Sequence, residues 1–173
     1  VKHREQAEGW IVGHKGLNGG VNPQNYYLKL SYADAEQSTS GIHSWNGTAP
    51  SASHFFVASG NSYAETNYAG ASPSIEYTAF LFASVAGISK LGNWVGDGGT
   101  QTITLGFQPR FLMFKTWNTG GGWYMLDTRR GWGAGNDASL QLQEGNAQVS
   151  SRDDGAPTAT GFTVTGDLSL IHI

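Results

Sequence analysis

Residues 9–20 read GWIVGHKGLNGG, placing His14 and Lys15 between a short apolar run and a cluster of glycines. Such residues serve acid–base chemistry, a phosphate cradle, or a turn. A cradle needs a strand, a glycine-rich turn, Lys followed by Ser or Thr, and a helix whose N-terminus faces the anion. Here Lys15 precedes most of the glycines and no helix signal follows, and GDGGT (96–100) contains no lysine. Acyl transfer needs a nucleophile elbow, G-x-S-x-G, which does not occur. His3, His14, His43 and His54 lack triad context and metal-ligand spacing, and H-E-x-x-H is absent. Half-buried or surface imidazoles are the plainer reading. Asp153-Asp154 reads as an exposed turn before it reads as a weak Ca²⁺ site.

Glycoside hydrolysis requires two carboxylates facing each other across a sugar ring. Glu65, Glu76, Asp97, Asp127 and Glu144 are scattered, and no strand alternates acids into one cleft. Sugar binding without cleavage asks for less, because a tryptophan face can stack on a pyranose. Trp45, Trp94, Trp117 and Trp132 lie near turn residues, and Arg129-Arg130-Gly131-Trp132 sits in a glycine-rich loop suited to an acidic surface. These six side chains (Arg129, Arg130, Trp132, Trp45, Trp94 and Trp117) are the candidate binding residues. Tryptophans at strand ends also commonly cover a core rim, so packing competes with binding at each. No catalytic residue, metal ligand or cofactor is expected.

The elements that would carry these residues follow from composition and period. The chain has 173 residues, 39% hydrophobic and 12% aromatic, with 25 glycines and only 13% charged residues. That profile suits an all-β protein with many turns. A net charge of −3 with no basic tract argues against nucleic acid. The absence of cysteine excludes disulfides and thiolate-held metals. No apolar run is long enough for a membrane-spanning helix. Strand signals fall at 10–14, 26–32, 54–59, 75–85, 100–106, 109–115, 122–127, 139–143 and 161–166. IEYTAFLFASV (75–85) is apolar on both faces near its end, as a central strand covered on both sides would be. ADAEQ (33–37) alone hints at a helical turn.

The sequence also echoes itself. Gly9-Trp10 meets Gly122-Trp123 at an offset of 113, and Leu28 and Leu30 meet Leu140 and Leu142 at 112. Pro50, Phe55 and Val57 meet Pro157, Phe162 and Val164 at 107. Ordered anchors with strand-period spacing read as a tandem duplication of roughly 110 residues. His14 and Lys15 then fall opposite Asp127 and Thr128, a swap that a catalytic pair would not tolerate, so the stretch reads as a turn. The first repeat is assigned to 1–105, lacking most of its leading strand, and a truncated second repeat to 106–167. Residues 168–173, LSLIHI, back-translate to a transposon end used in sequencing libraries and are read as adapter read-through; a natural edge strand is the other reading. The chain is accordingly read as a fragment.

HKGLNGGVNPQNYYLKL, WNGTAPSASHFFV, EYTAFLFASVAGISKLGNWVGDG, GFQPRFLMFKTW and GWYMLDTRRG together carry a resemblance. In this order and spacing they are similar to a repeated domain of unknown function found in tail-fibre and other structural proteins of marine bacteriophages. The resemblance covers nearly all of 1–167. It implies an antiparallel β-sandwich of the jelly-roll or concanavalin-like kind, a virion or extracellular location, and an adhesion or decoration role without catalysis. The partners it implies are a host-surface glycan or polymer and other virion proteins, within a homotrimeric full-length assembly. A carbohydrate-binding or degenerate glucanase-like module of a secreted bacterial protein is the rival expectation.

Overall fold

The computed structural model describes residues 1–4, 7, 9–39, 44–58, 66–67 and 75–165. His43, Glu65 and the 168–173 tail lie outside the described residues. The chain is all-β. Its strands are β1 (Lys2–His3), β2 (Ile11–Val12), β3 (Tyr26–Lys29), β4 (Gln37–Ser38), β5 (Tyr77–Thr78) and β6 (Gln101–Thr104), followed by β7 (Phe111–Phe114), β8 (Tyr124–Asp127), β9 (Asp137–Gln141), β10 (Val149–Arg152), β11 (Pro157–Thr158) and β12 (Gly161–Val164). Every strand pairing is antiparallel. Two short 3₁₀ turns, Leu17–Gly20 and Pro23–Asn25, are the helical elements among the described residues. Residues 33–36 are irregular, so the helical hint there is not realised.

The chain divides into two compact units, the first formed by 1–81 with 117–119 and the second by 82–116 with 120–173. The first contains the sheet β2-β3-β4 and the pair β1-β5. Val1 joins the two: its terminal amine donates to the Ile11 carbonyl, and the Ile11 N–H donates back, both at 2.8 Å. In GHKGLNGG, Leu17 is the buried plug. Asn18 and Asn22 adopt left-handed φ of 50° and 47°, a conformation asparagine tolerates because its side chain bonds locally. The Asn18 amide does so, reaching the Val21 carbonyl at 2.7 Å.

The second unit is a small β-sandwich. One sheet runs β10-β9-β8-β7 and the other β11-β12-β6. Alternation along the strands turns Phe114, Leu126, Phe162 and Val164 inward, where they cluster with Trp132. Ile103, Leu112 and Trp94 pack against that cluster. Burial of each large apolar side chain is worth about 1.5–3 kcal/mol, so this cluster holds the two sheets together.

The ladders of the two units run in parallel registers. Val12 faces Leu28 and Met125 faces Leu140; Ile11 faces Lys29 and Tyr124 faces Gln141. Tyr27 faces Gln37 and Ser139 faces Val149. Leu30 N–H donates to the Trp10 carbonyl, and Leu142 N–H to the Trp123 carbonyl, each at 2.9 Å. The Ser51–His54 turn (N–H to carbonyl, 2.9 Å) has its like in Thr158 facing Gly161.

Two expected strands depart most from their predicted length. Residues 54–58 carry no strand, and Phe55 is 37% exposed while Phe162 is 2% exposed. β12 is held between β11 and β6, whereas nothing described in the first unit plays the part of β6. The 75–85 run, expected as a covered central strand, keeps only Tyr77 and Thr78 in a ladder, facing His3 and Lys2. Phe80, Leu81 and Phe82 are 65%, 70% and 73% exposed. A strand needs a neighbour for its backbone groups; among the described residues β1 pairs only with Tyr77 and Thr78 of this run, and Val85 at its end bridges Ser89 locally.

Candidate functional site

The loop after β8 is built from Asp127. Its Oδ1 accepts the Arg129 N–H at 2.6 Å, and its carbonyl accepts the Arg130 and Trp132 N–H groups at 3.0 and 3.1 Å. The far end is fixed by Asp137, which is fully buried; its Oδ1 accepts the Gly133 N–H at 2.9 Å and its Oδ2 the Asp154 N–H at 2.7 Å. Burial pushes the Asp137 carboxyl above the usual carboxylate range, against the pull of those two N–H donors. Asp154, also buried, pairs with Arg152 at 2.9 Å, and the Arg152 guanidinium lies 4.9 Å from the Tyr124 ring centre. The loop is thus pinned at both ends.

The six candidate binding residues do not assemble into one platform. Trp132 is 3% exposed, packs edge-on against Phe162, and donates its indole N–H to the Gly155 carbonyl at 2.8 Å. Its face is core, so Trp132 is withdrawn as a sugar-stacking surface. Trp94 is half-buried and edge-on to Phe162 at 5.7 Å. In the first unit, Trp45 is half-buried, donates to the Tyr26 carbonyl at 3.1 Å, and lies so close to Gly13 that a Cβ there would stand 3.0 Å from its ring. Trp117 is half-buried, and its carbonyl accepts the Glu36 N–H at 2.7 Å. Arg129 is exposed and Arg130 half-buried, on a loop whose backbone is tied from beneath. Of the six, Arg129 is the exposed one.

Of the scattered acids, four of the described ones are engaged locally, Asp127 as above. Glu76 pairs with Arg4, Asp97 accepts the Gly99 N–H at 2.8 Å, and Glu144 accepts from Asn146. Among the described residues no group of three or more His, Asp or Glu is placed to hold a metal. Asp154, expected on an exposed turn, is instead inside the fold; only Asp153 is exposed, accepting the Gly155 N–H at 3.1 Å. In the first unit, His14 Nδ1 accepts the Gly16 N–H at 3.0 Å, and Glu36 accepts the Asn18 N–H at 2.7 Å. Burial and the neighbouring Lys15 hold the His14 pKa below its ordinary value, and burial raises that of Glu36. The opening glycine stretch is therefore a turn braced by two side chains.

The Asp137–Asp154–Arg152 group escaped sequence reasoning. Asp153-Asp154 was visible as a turn, but nothing in the sequence linked it to Asp137, a lone acid of the kind that also marks ordinary turns.

These features define an all-β protein containing an antiparallel sandwich in which the loop after β8 is fixed by Asp127 and the buried Asp137. The chain matches the domain of unknown function DUF7483 over residues 1–166 and belongs to that family. No curated protein and no solved structure matches it.

Proposed function

We propose that the chain comprises two successive copies of one β motif, serving as a non-enzymatic adhesion or spacer module of a virion appendage such as a phage tail fibre. A jelly-roll or concanavalin-like plan for each full copy belongs to this reading. The equal ladder registers around Leu28 and Leu140 support the two-copy arrangement. The observation that carries the contact role is the exposed Arg129, presented beside Arg130 on a loop whose backbone is tied by Asp127 and Asp137. Rigid β scaffolds commonly present their contacts on such loops. Two guanidiniums suit an acidic glycan or polymer. One copy would bind at about millimolar level, roughly 4 kcal/mol, and many copies on a fibre would adhere by avidity.

The test is a glycan array probed with a monomeric and a multimerised form, run beside a polysaccharide-hydrolysis screen. Binding of acidic polymers by the multimer, without turnover, is expected. Turnover abolished by changing Glu76, Asp97, Asp127 or Glu144 would replace this reading with that of an enzyme.

A further inference from the structure

Two apolar stretches of the first unit stand largely exposed, although the Phe80 ring stacks on Trp10 at 5.2 Å on one side. The first is Phe55 to Val57, where Phe55 and Phe56 are each 37% exposed. The second is residues 79–81, where Phe80 and Leu81 are 65% and 70% exposed although Tyr77 and Thr78, immediately before, are paired with β1. Isolated exposed apolar residues are ordinary, but an unpaired apolar edge continuous with a ladder is a template for another strand.

The second unit contains the missing piece. There a single run, residues 101–114, contributes β6 to one sheet and β7 to the other. β6 faces β12 with Ile103 opposite Phe162 and Gln101 opposite Val164, leaving those two apolar residues 2% and 0% exposed. β7 pairs with β8, Phe114 facing Tyr124, as Val1 bonds Ile11 in the first unit. The residues of the second unit that precede Phe114 thus correspond to a strand entering in line with Val1.

We infer that residues 55–57 and 79–81 are docking edges for one extended segment of the kind Thr-Gln-Thr-Ile-Thr-Leu-Gly-Phe-Gln-Pro-Arg-Phe-Leu-Met, the sequence of residues 100–113. Its last residues extend the β1–β5 ladder, and its first residues cover Phe55 and Val57 as β6 covers β12. This rests on the two-copy reading above. The β1–β5 register, in which Lys2 faces Thr78, fixes the pairing: the segment's Met meets Phe80 and its second Leu meets Leu81. At the other edge His54 stands where the second unit has Gly161, whose position leaves no room for a Cβ beside the Ile103 carbonyl. That ladder therefore begins at Phe55 and omits His54.

The experiment joins this fourteen-residue segment directly ahead of Val1 in the full chain and compares hydrogen exchange with the unextended chain. Amides of 55–57 and 79–81 should slow by roughly tenfold or more, as for residues moved from a frayed edge into a ladder. A scrambled extension should leave them unchanged. Because the chain has no cysteine, Leu81→Cys combined with Cys in place of the segment's second Leu should yield one disulfide, and Phe80→Cys with the same partner none. Unchanged exchange at both edges while the amides of β2, β3, β8 and β9 stay protected would overturn the docking but not the two-copy reading. Loss of protection in β2 and β3 alone, with β8 and β9 protected, would count against the two-copy reading itself. Equal protection by the scrambled extension, or a dimer of the unextended chain that persists after extension, would overturn the docking in favour of nonspecific collapse or of a second copy.

Discussion

Asp137 holds the main chain at Asp154: its Oδ2 accepts the Asp154 N–H at 2.7 Å while its Oδ1 holds Gly133 at 2.9 Å. Both contacts lie at a fully buried side chain. Removing the carboxylate leaves two N–H groups without their acceptor. Asp137→Ala should cost about 3 kcal/mol, the scale of losing hydrogen bonds to a charged group, and Asp137→Asn, which keeps one acceptor, less. Urea unfolding midpoints read both. Because burial raises this pKa above 3.8, the group favours the fold most below that value. Its contribution is lost as pH rises through the raised value. Asp137→Asn should therefore remove the part of the unfolding free energy that declines as pH rises through the raised value, measured as the wild-type minus variant difference across pH.

His14 and Asp127 perform one task with different chemistry. His14 Nδ1 takes the Gly16 N–H and Asp127 Oδ1 takes the Arg129 N–H, each two residues on. His14→Asn, which keeps an acceptor, should be nearly neutral near pH 8, and His14→Ala should cost about 1 kcal/mol. The folded chain prefers the neutral imidazole, since its pKa is lowered from 6.5. This stability is present above pH 6.5 and drains as pH falls through the folded value, where a proton on Nδ1 would face the Gly16 N–H. Thermal midpoints between pH 8 and pH 5 should fall for the wild type more than for His14→Asn.

This pair shows what the sequence made legible and what it hid. Alternation in YYLKL, FLMF and GFTV located β3, β7 and β12, because each has a partner strand and one buried face. The same alternation in HFFVAS did not become a strand, because period reports which face is apolar and not whether a neighbour exists. β4 and β10 were missed because Gln37–Ser38 and Val149–Arg152 are largely exposed and carry little apolar pattern. At the site, Arg129 could be read as exposed from its glycine-rich loop. Trp132, three residues on, could not be read as buried, because its burial depends on Phe162 and Gly155 from distant sequence.

Trp132→Ala should destabilise the second unit by about 3–5 kcal/mol, the cost of emptying a large aromatic site in a core. The indole contacts Phe162 and satisfies the Gly155 carbonyl, so both packing and a buried hydrogen bond are lost. Trp45→Ala, at a half-buried site of the first unit, should cost less. Denaturation followed by near-ultraviolet circular dichroism separates the two. A small loss for Trp132→Ala would mean its ring is not core, and stacking on a sugar would return as an option.

The arginines of the same loop call for the opposite combination of effects. Arg129 is exposed and Arg130 half-buried, and the main-chain bonds that shape the loop use their N–H groups, not their guanidiniums. Replacing both by Glu should therefore change stability by no more than about 0.5 kcal/mol, as expected for surface substitutions away from caps and cores. Contact with an acidic polymer should respond strongly, since two attractive charges become repulsive on a fixed frame. A multimerised wild type should lose its retention on an acidic polysaccharide as salt rises, because exposed charges are screened beyond about 10 Å at 0.1 M salt. The double variant should not be retained at any salt concentration. Arg129→Lys with Arg130→Lys, which keeps the charge and loses the planar fork, should fall between them. If the Glu variant unfolds like Trp132→Ala, the guanidiniums hold the loop together. If it folds normally and is retained as well as the wild type, the contact surface lies elsewhere on the chain.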